Sequence, residues 1–346
     1  MSESAPLLAL TMGDPCGIGP EIIVKALTQP LPAPCVVVGD VGVMRRAVAV
    51  GALDWPIAEL DEPDEARELP PRCIGVWQPP GLPSGLPSLP IGQVHVDAGR
   101  AAIRCIEVAT SLALAGRVSA VVTAPVHKQA LAAAGSPFPG HTEMLQALAA
   151  AAGPVPEVRM MLANDELRVV LVTIHVALKR AIELLSTERI ATTITLAHEA
   201  GVRAGLAHPR VAVAGLNPHA GEGGLFGDEE ARFIVPAIAL ARAAGIDASG
   251  PHAPDTVFMR ARNAVGHPGE FDVVVAMTHD HGLIPVKYLG VERGVNVTLG
   301  LPFVRASPDH GTAFDIAGRG VADAGSLRAA ISVAHELCRG GSHRLG

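Results

Sequence analysis

Short apolar runs rich in valine and alanine alternate along the chain with longer segments of helical spacing. The short runs predict strands over 7–12, 35–39, 119–126, 158–162, 167–175, 210–216 and 271–277. The longer segments predict helices over 20–27, 101–116, 187–204, 228–245 and 324–338. Asn164 and Asp165 favour a hairpin turn between two of these strands. Strands that alternate with helices predict an α/β protein with a largely parallel sheet.

Length and composition narrow the class of protein. At 346 residues one or two domains are expected, and the Pro- and Gly-rich segment 78–90 predicts a surface loop. A net charge of −7, from 27 basic and 34 acidic residues, argues against a nucleic-acid or membrane partner recruited by bulk charge. Five scattered cysteines without a CxxC pair fit neither a disulfide framework nor a zinc finger. With no signal segment and no spanning apolar run, we expect a soluble, cytoplasmic protein.

Polar side chains follow the predicted strands at the points where those strands end. In open α/β sheets, ligands bind at the carboxyl ends of the strands, so this placement predicts a site. The residues concerned are Asp14, Thr123, His127, His175, Asn217, His219 and His279.

Three of these residues are histidines that follow three different strands. His175, His219 and His279 could together form an open metal site, because imidazole is a common ligand of divalent transition metals. Each histidine alone is more simply explained as a helix cap or a loop hydrogen-bonder, and spacing does not prove that the three converge. Asp280 and His281 could support the site from behind the ligands.

The glycine-rich segment "GDPCGIGPEI" resembles a dinucleotide-binding fingerprint but lacks the third glycine. It predicts either close approach to a ligand or a tight turn, with equal weight. The segment 219–230 is also rich in glycine and ends in an acidic helix start, which suits the helix macrodipole.

Two cations and an amide in the last quarter of the chain could hold a phosphate or carboxylate. These are Lys287, Asn296 and Arg305, although ordinary surface charge is the simpler explanation for a lone Lys or Arg. His141 and Thr142 could begin a helix that binds an anion, or they could simply cap it.

A series of motifs extends over nearly the whole chain: "TMGDPCGIGPEI", "TAPVHK", "PGHTE", "GLNPHAGEGG", "GPHAPDT", "HDHGLIPVK", "GVNVTLGLPFVR" and "DHGTAFDIAGRG". In this order they resemble the 4-hydroxythreonine-4-phosphate dehydrogenase family of pyridoxal phosphate biosynthesis.

The resemblance implies an NAD-dependent homodimer that uses a divalent metal (zinc, magnesium or cobalt) and has the isocitrate/isopropylmalate dehydrogenase fold. It implies an active-site cleft between two domains, to which both subunits contribute residues. The expected domains are a nucleotide-binding domain, 1–128 plus 282–346, and a metal-binding and dimerisation domain, 129–281.

The resemblance also assigns roles to residues. It makes His175, His219 and His279 the metal ligands. It places substrate near His141, Thr142, Lys287, Asn296 and Arg305, with Lys287 and Asp255 as catalytic residues. The last motif further resembles the adenosine loop of isopropylmalate dehydrogenases, which implies that His310, Gly311, Thr312 and Asp315 bind the nucleotide. Asp315 there favours NAD over NADP, whereas Arg319 could tolerate a 2′-phosphate.

The implied reaction is oxidation and decarboxylation of 4-phosphohydroxy-L-threonine to 3-amino-2-oxopropyl phosphate. His281 stands where the family usually has Gln, and Thr278 where it often has Tyr. With "HVALK", "FGDEE" and "FDIAG", these changes resemble sister enzymes, so a 4-phospho-D-threonate or 4-phospho-D-erythronate 3-dehydrogenase is the alternative. Asp255, Lys287 and a metal-bound water stay open as the general base. A metal-dependent hydrolase or aldolase, and a non-catalytic phosphometabolite-binding protein, are the rival classes.

Overall fold

The computed structural model of the chain describes residues 5–138, 140–151 and 153–340. These residues pack into two compact units. The first takes the described residues of Met1–Glu157 and Leu301–Cys338, and the second takes those of Val158–Gly300 and Arg339–Gly346. Relative to the boundaries expected from sequence, the described part of 129–157 lies in the first unit and 282–300 in the second.

The strands and helices alternate along most of the chain, which confirms the α/β class. The strands are β1 (Leu8–Thr11), β2 (Cys35–Val38), β3 (Ile57–Leu60), β4 (Ile74–Trp77), β5 (Ala120–Thr123), β6 (Arg159–Ala163), β7 (Arg168–Leu171), β8 (Val211–Ala214), β9 (Ala248–His252), β10 (Val273–Ala276), β11 (Val295–Leu299) and β12 (Val304–Pro308). The α-helices are α1 (Gly19–Leu27), α2 (Val41–Val50), α3 (Val96–Leu114), α4 (Lys128–Ala133), α5 (His141–Ala150), α6 (Leu178–Glu183), α7 (Thr187–Arg203), α8 (Val235–Ala243), α9 (Val257–Ala261), α10 (His279–Tyr288) and α11 (Gly325–Arg339). No helix within the described ranges has the length and apolar character that crossing a bilayer requires.

In the first unit, the strands pair in the order β3-β4-β2-β1-β5-β12, and the paired strands are parallel. Every residue of β1 is buried, as expected for a strand that is covered on both faces of a parallel sheet. In the register of β1 and β5, Thr11 lies beside Thr123. The chain segments that follow these two strands therefore leave the sheet side by side.

In the second unit, the order is β11-β6-β7-β10-β8-β9. The pairs β11–β6 and β6–β7 are antiparallel, whereas β7, β10, β8 and β9 are parallel neighbours. Because β7, β10 and β8 are adjacent and parallel, the three segments that begin after them lie at one edge of the sheet. These are the segments that carry His175, His279 and His219.

The helix expected over 228–245 is not one regular helix. A π-helical turn, Glu230–Ile234, precedes α8. Pro236 lacks the N–H that an α-helix would direct at the carbonyl of Arg232, which accounts for the irregularity. That carbonyl accepts a hydrogen bond from Thr187 Oγ1 at 3.5 Å instead.

The predicted hairpin between β6 and β7 is present, and the side chain of Asn164 closes it. Asn164 Oδ1 accepts hydrogen bonds from the backbone N–H groups of Glu166 and Leu167, both at 2.9 Å. Its Nδ2 donates to the carbonyl of Val286 in α10 at 3.0 Å. One amide side chain thus fixes the turn and ties it to the helix that begins at His279.

We predict that Asn164→Ala lowers the free energy of unfolding by about 2–3 kcal/mol, because the variant leaves two backbone donors and one acceptor without their partner. Urea denaturation followed by circular dichroism measures the change. The control is Asp165→Ala, which removes only an exposed 2.9 Å ion pair with Arg293 and should cost less than about 1 kcal/mol. Equal losses in the two variants would contradict the role given to Asn164.

Candidate active site

A pocket of about 460 Å³ opens in the second unit, beyond the carboxyl ends of β7 and β10. Two backbone segments that leave these strands form it, together with α6. Its lining residues are Thr173, Ile174, His175, Val176, Leu178, Ala181, Thr278, His279, Asp280 and His281. The strand-end residues singled out from sequence at 175 and 279 therefore face a common cavity.

Hydrogen bonds between the two segments fix the shape of this pocket. Val172 N donates to the carbonyl of Ala276 at 2.9 Å, and buried Thr173 Oγ1 donates to the carbonyl of Met277 at 2.8 Å. As a result, the imidazole rings of His175 and His279 lie with their centroids 5.6 Å apart and their planes tilted by 47°.

His279 is the first residue of α10, directly after the buried Thr278. Its Nδ1 lies 2.8 Å from Asp280 Oδ1. A carboxylate at Nδ1 favours the tautomer with the proton on that nitrogen and leaves Nε2 as the donor atom for a ligand.

His219 lies in a turn whose backbone is left-handed. Residues 219–223 all have positive φ, with values of 52° at His219, 54° at Ala220 and 44° at Glu222. Left-handed conformations cost roughly 1–2 kcal/mol for each residue that has a Cβ, so this turn is strained. The turn exposes the His219 side chain, and Glu222 Oε2 contacts its Nδ1 at 3.1 Å. This carboxylate again leaves Nε2 as the ligand atom.

A buried carboxylate holds the left-handed turn in place. Glu230 Oε1 accepts hydrogen bonds from the backbone N–H groups of Leu216 and Asn217 at 2.8 and 2.7 Å. Its Oε2 accepts one from Asn217 Nδ2 at 2.9 Å. These bonds lower the pKa of Glu230 against the opposing effect of its burial. The acidic start at 228–230 therefore includes an anchor for the preceding loop, beyond the macrodipole effect expected from sequence.

The three expected ligands are imidazoles, a donor type that suits a divalent metal. Two of the three lie together in one chain. His175 and His279 share the pocket. Among the residues that the structure describes, however, no three His, Cys, Asp or Glu side chains come together in a way that would hold a metal ion. His219 is therefore not brought to the other two histidines within a single chain.

A second polar cluster lies in the first unit, around Arg305 in β12. Arg305 is buried, and its Nη2 donates to Thr123 Oγ1 at the end of β5 at 2.7 Å. Burial lowers the pKa of Arg305 to about 10, so it stays charged at neutral pH. His141 begins α5, as the sequence suggested. Its burial, and secondarily the charge of Arg305, lowers the pKa of His141 to about 3.

His141 is thus a neutral hydrogen-bonding group beside a buried cation. Its Nε2 is enclosed and has no hydrogen-bond partner in the described part of the chain. A buried cation next to an unsatisfied imidazole nitrogen is suited to hold an anionic group of a ligand.

The loops that leave β1 and β5 meet near this cluster. Asp14 Oδ1 accepts from the backbone N–H of Cys16 at 2.8 Å, while its enclosed Oδ2 has no partner among the described residues. Burial raises the pKa of Asp14, although the backbone hydrogen bond from Cys16 and the nearby His127 and His95 oppose this. The glycines of this loop serve chain packing. A Cβ on Gly13, at φ +72°, would lie 2.5 Å from the carbonyl oxygen of Pro125. Close packing within the chain accounts for this glycine, which favours a tight turn over close approach to a ligand.

The expected nucleotide loop follows β12. Thr312 is buried, and its carbonyl accepts a hydrogen bond from Ile18 N at 3.0 Å. Phe314 stacks on the ring of His127 with centroids 4.6 Å apart. His310, Gly311 and Asp315 are exposed. The exposed carboxylate of Asp315 is therefore accessible to a ligand, as an acceptor of hydrogen bonds from ribose hydroxyls needs to be.

The remaining expected residues are divided between the units. Thr142 follows His141 in α5 of the first unit. In the second unit, Lys287 lies in the last turn of α10, Asn296 lies in β11 opposite Leu162, and Asp255 is exposed before α9.

The sequence argument did not find Glu222, Glu230 or Thr173. Only Glu222 could have been found from the sequence, because an acidic residue three positions after His219 can reach the imidazole ring.

Comparisons with known proteins show the family to which the chain belongs. Residues 31–334 match the model of the family described as pyridoxal phosphate biosynthetic protein PdxA. A 4-hydroxythreonine-4-phosphate dehydrogenase of Beijerinckia indica subsp. indica is 54% identical over 95% of this chain and 94% of its own. A D-threonate 4-phosphate dehydrogenase of Salmonella typhimurium is 46% identical over 95% and 98%. The crystal structure of a 4-hydroxythreonine-4-phosphate dehydrogenase from Klebsiella pneumoniae is 45% identical, with a TM-score of 0.86 over 98% of this chain and 99% of that one.

The fold and these relatives define an oxidoreductase of the dehydrogenase class that acts on a CH–OH group. Within that class, the chain belongs to the PdxA family, as its motifs indicated.

We predict that His141 makes stability depend on pH. The unfolded imidazole takes up a proton below about pH 6.5, whereas the folded one does so only near pH 3, so stability is lost as pH falls through this window. Between about pH 7.5 and pH 5.5, the residue should lower the free energy of unfolding by about 1.4 kcal/mol.

Urea denaturation of the wild type and of His141→Asn at both pH values, in buffer without phosphate, isolates this contribution. The variant should lose correspondingly less stability than the wild type on acidification. The same pH dependence in both proteins would show that His141 does not stay neutral.

Proposed function

We propose that the chain catalyses the NAD- and divalent-metal-dependent oxidation of 4-phosphohydroxy-L-threonine, with decarboxylation, to 3-amino-2-oxopropyl phosphate. The paired imidazoles of His175 and His279 in one pocket are the observation that carries this proposal. The relative named 4-hydroxythreonine-4-phosphate dehydrogenase supports the substrate.

The chemistry follows from the substrate. C3 loses a hydride and its hydroxyl loses a proton, which leaves a ketone beside the carbon that carries the carboxylate. The C1 carboxylate then leaves as CO₂, and C2 takes up a proton. When bound, NAD accepts the hydride and a divalent ion stabilises negative charge on oxygen. Asp255 and Lys287 are this chain's candidates for the group that takes the hydroxyl proton.

The chain's own residues bind and orient the substrate. Arg305 supplies a permanent buried charge for the phosphate or carboxylate, and His141 supplies a neutral hydrogen bond beside it. We assign Thr142, Lys287 and Asn296 to the substrate as further binding residues. Binding energy from these remote groups positions C3 for hydride transfer. His310, Gly311, Thr312 and Asp315 would hold the nucleotide, with Asp315 favouring NAD over NADP.

The metal would be held by His175, His219 and His279, with His219 supplied by a second copy of the chain. One chain brings only two of the ligands together, which supports a shared site. Large apolar side chains are also exposed on the chain segments that carry the three histidines, and a partner subunit would cover them. They are Val176, Leu178, Leu225, Phe226, Ile284 and Tyr288. We therefore propose a homodimer whose subunits both contribute to each active site.

The second candidate is oxidation of 4-phospho-D-threonate or 4-phospho-D-erythronate at C3. These substrates carry a hydroxyl at C2 instead of an amine. The relative named D-threonate 4-phosphate dehydrogenase supports this alternative, as do Thr278 and His281 in the pocket lining. Residues in this position can contact the C2 substituent of a substrate oriented from the paired imidazoles.

A steady-state screen decides between the candidates. We predict that NADH absorbance grows in the presence of 4-phosphohydroxy-L-threonine, NAD and a divalent ion, with a kcat/KM at least about tenfold above those for the two sugar acids. A higher kcat/KM for either sugar acid would establish the alternative. Release of phosphate or an aldehyde without NADH would instead identify a hydrolase or an aldolase.

The metal site is tested by binding rather than by turnover. We predict that His175→Ala, His219→Ala and His279→Ala each lower the affinity for zinc by more than about 100-fold, beyond the effect of an outer-shell change. Chelator competition measures the affinity, and His208→Ala, at an exposed histidine in a loop, is the matched control. Wild-type zinc affinity in any of the three variants would remove that residue from the site.

Mixing variants tests whether the site is shared. Equal amounts of the His175→Ala and His219→Ala proteins, unfolded and refolded together, give mixed dimers in half of the cases. Each mixed dimer has one intact site, so about a quarter of the wild-type zinc sites should return. No recovery would mean that all three ligands come from one chain.

A further inference from the structure

Helix α1 holds the expected nucleotide loop through two charged side chains. Glu21 accepts hydrogen bonds from the backbone N–H groups of Gly318 and Gly320, the latter at 3.1 Å. One helical turn later, Lys25 Nζ donates to the carbonyls of Gly320 and Ala322, both at 2.7 Å. We call Glu21 and Lys25 the α1 clamp.

Both charged groups of the clamp hydrogen-bond to backbone groups of the loop. Glu21 is only 4% exposed and Lys25 is half-buried. A buried charge is costly unless hydrogen bonds satisfy it, and here the satisfying groups belong to one short loop segment. Because Gly320 gives its N–H to Glu21 and its carbonyl to Lys25, the two side chains hold both peptide groups that flank the Cα of Gly320.

The loop segment has no regular secondary structure that would fix it without these contacts. Gly318 and Gly320 have φ of +79° and +67°, conformations that glycine adopts freely. A Cβ on Gly320 would lie 2.6 Å from the carbonyl oxygen of Val50, so the segment also packs closely against its surroundings. The inner side of the loop is therefore held by α1, while Asp315 and Arg319 are exposed on its outer side.

We propose that the α1 clamp is a positioning device for the nucleotide: Glu21 and Lys25 hold the loop at 315–320 in the form that binds the adenosine half of NAD. This inference rests on the proposed function, since it takes Asp315 as the nucleotide contact. The clamp residues themselves need not touch the nucleotide. They raise the fraction of molecules whose loop is ready to bind, and the apparent dissociation constant varies inversely with that fraction.

The test compares nucleotide binding in clamp variants and in a control on the same helix. Glu21→Gln keeps the size of the side chain but turns one acceptor into a donor that faces an N–H group. Lys25→Met keeps the aliphatic stem and removes both donors, whereas Lys25→Arg retains donors for both carbonyls. Thr28→Val is the control, because Thr28 caps the C-terminal end of α1 and its Oγ1 donates to the carbonyl of Lys25 at 2.8 Å, on the helix and not on the loop.

NADH fluorescence titration of each purified protein gives the dissociation constant, and steady-state kinetics give KM for NAD and kcat at saturating NAD. For Glu21→Gln and Lys25→Met we expect NADH to bind about tenfold more weakly, as when only a tenth of the loops remain ready. KM for NAD should rise in parallel, with little change in kcat. Lys25→Arg should restore most of the affinity, and Thr28→Val should leave it unchanged.

Two results would overturn the inference. One is unchanged NADH affinity in Lys25→Met, with only a lower melting temperature, since the clamp would then serve stability alone. The other is a fall in kcat with unchanged KM for NAD. Lys25→Met keeps the test decisive if Glu21→Gln fails to fold, because Lys25 is less buried. Failure of the proposed function looks different: the wild-type protein itself would not bind NADH.

Discussion

The buried hydrogen bond from Thr173 to the carbonyl of Met277 joins the two segments that line the pocket of His175 and His279. Parallel pairing of β7 and β10 delivers both segments to one edge of the sheet. Pairing alone would still let them diverge, since loops beyond a sheet have no ladder of their own. The threonine hydroxyl extends the ladder by one more bond, and the distance between the rings of His175 and His279 follows from that extension.

In the first unit, the corresponding constraint is that a charged side chain lies buried within an apolar sheet. Arg305 lies within β12, where neighbouring strands offer mainly backbone groups, and the hydroxyl of Thr123 gives it a partner at the end of the adjacent strand. His141 accommodates the same charge by remaining neutral. The unit thus holds a fixed cation in a place where water cannot weaken it, and such an arrangement favours an anionic ligand over a neutral one.

The sequence predicted the fold best where burial is simple. β1, β7 and β10 are mainly apolar runs that the pattern predicted as strands, and the rings of His175 and His279, which follow β7 and β10, lie together in the structure. β11 and β12 escaped prediction because each contains a polar residue, Asn296 or Arg305, that does not fit an apolar pattern. α10 escaped because Gly282 and Pro285 argue against a helix, although Pro285 is tolerated there. The path of the chain around His219 could not be predicted, because the spacing of residues in the sequence does not indicate that a turn is left-handed.

That left-handed turn limits how far the stability of this protein can be raised by substitution. Ala220 and Glu222 occupy conformations that glycine would adopt at lower cost, so selection for thermal stability alone would favour glycine at both positions. A glycine there would also widen the range of directions in which His219 can point, and glycine at 222 would remove the carboxylate at its ring. Within these five residues, therefore, substitutions that would raise stability would also loosen the direction of the His219 side chain, which we propose as a metal ligand, and strain of this kind is typical of functional sites.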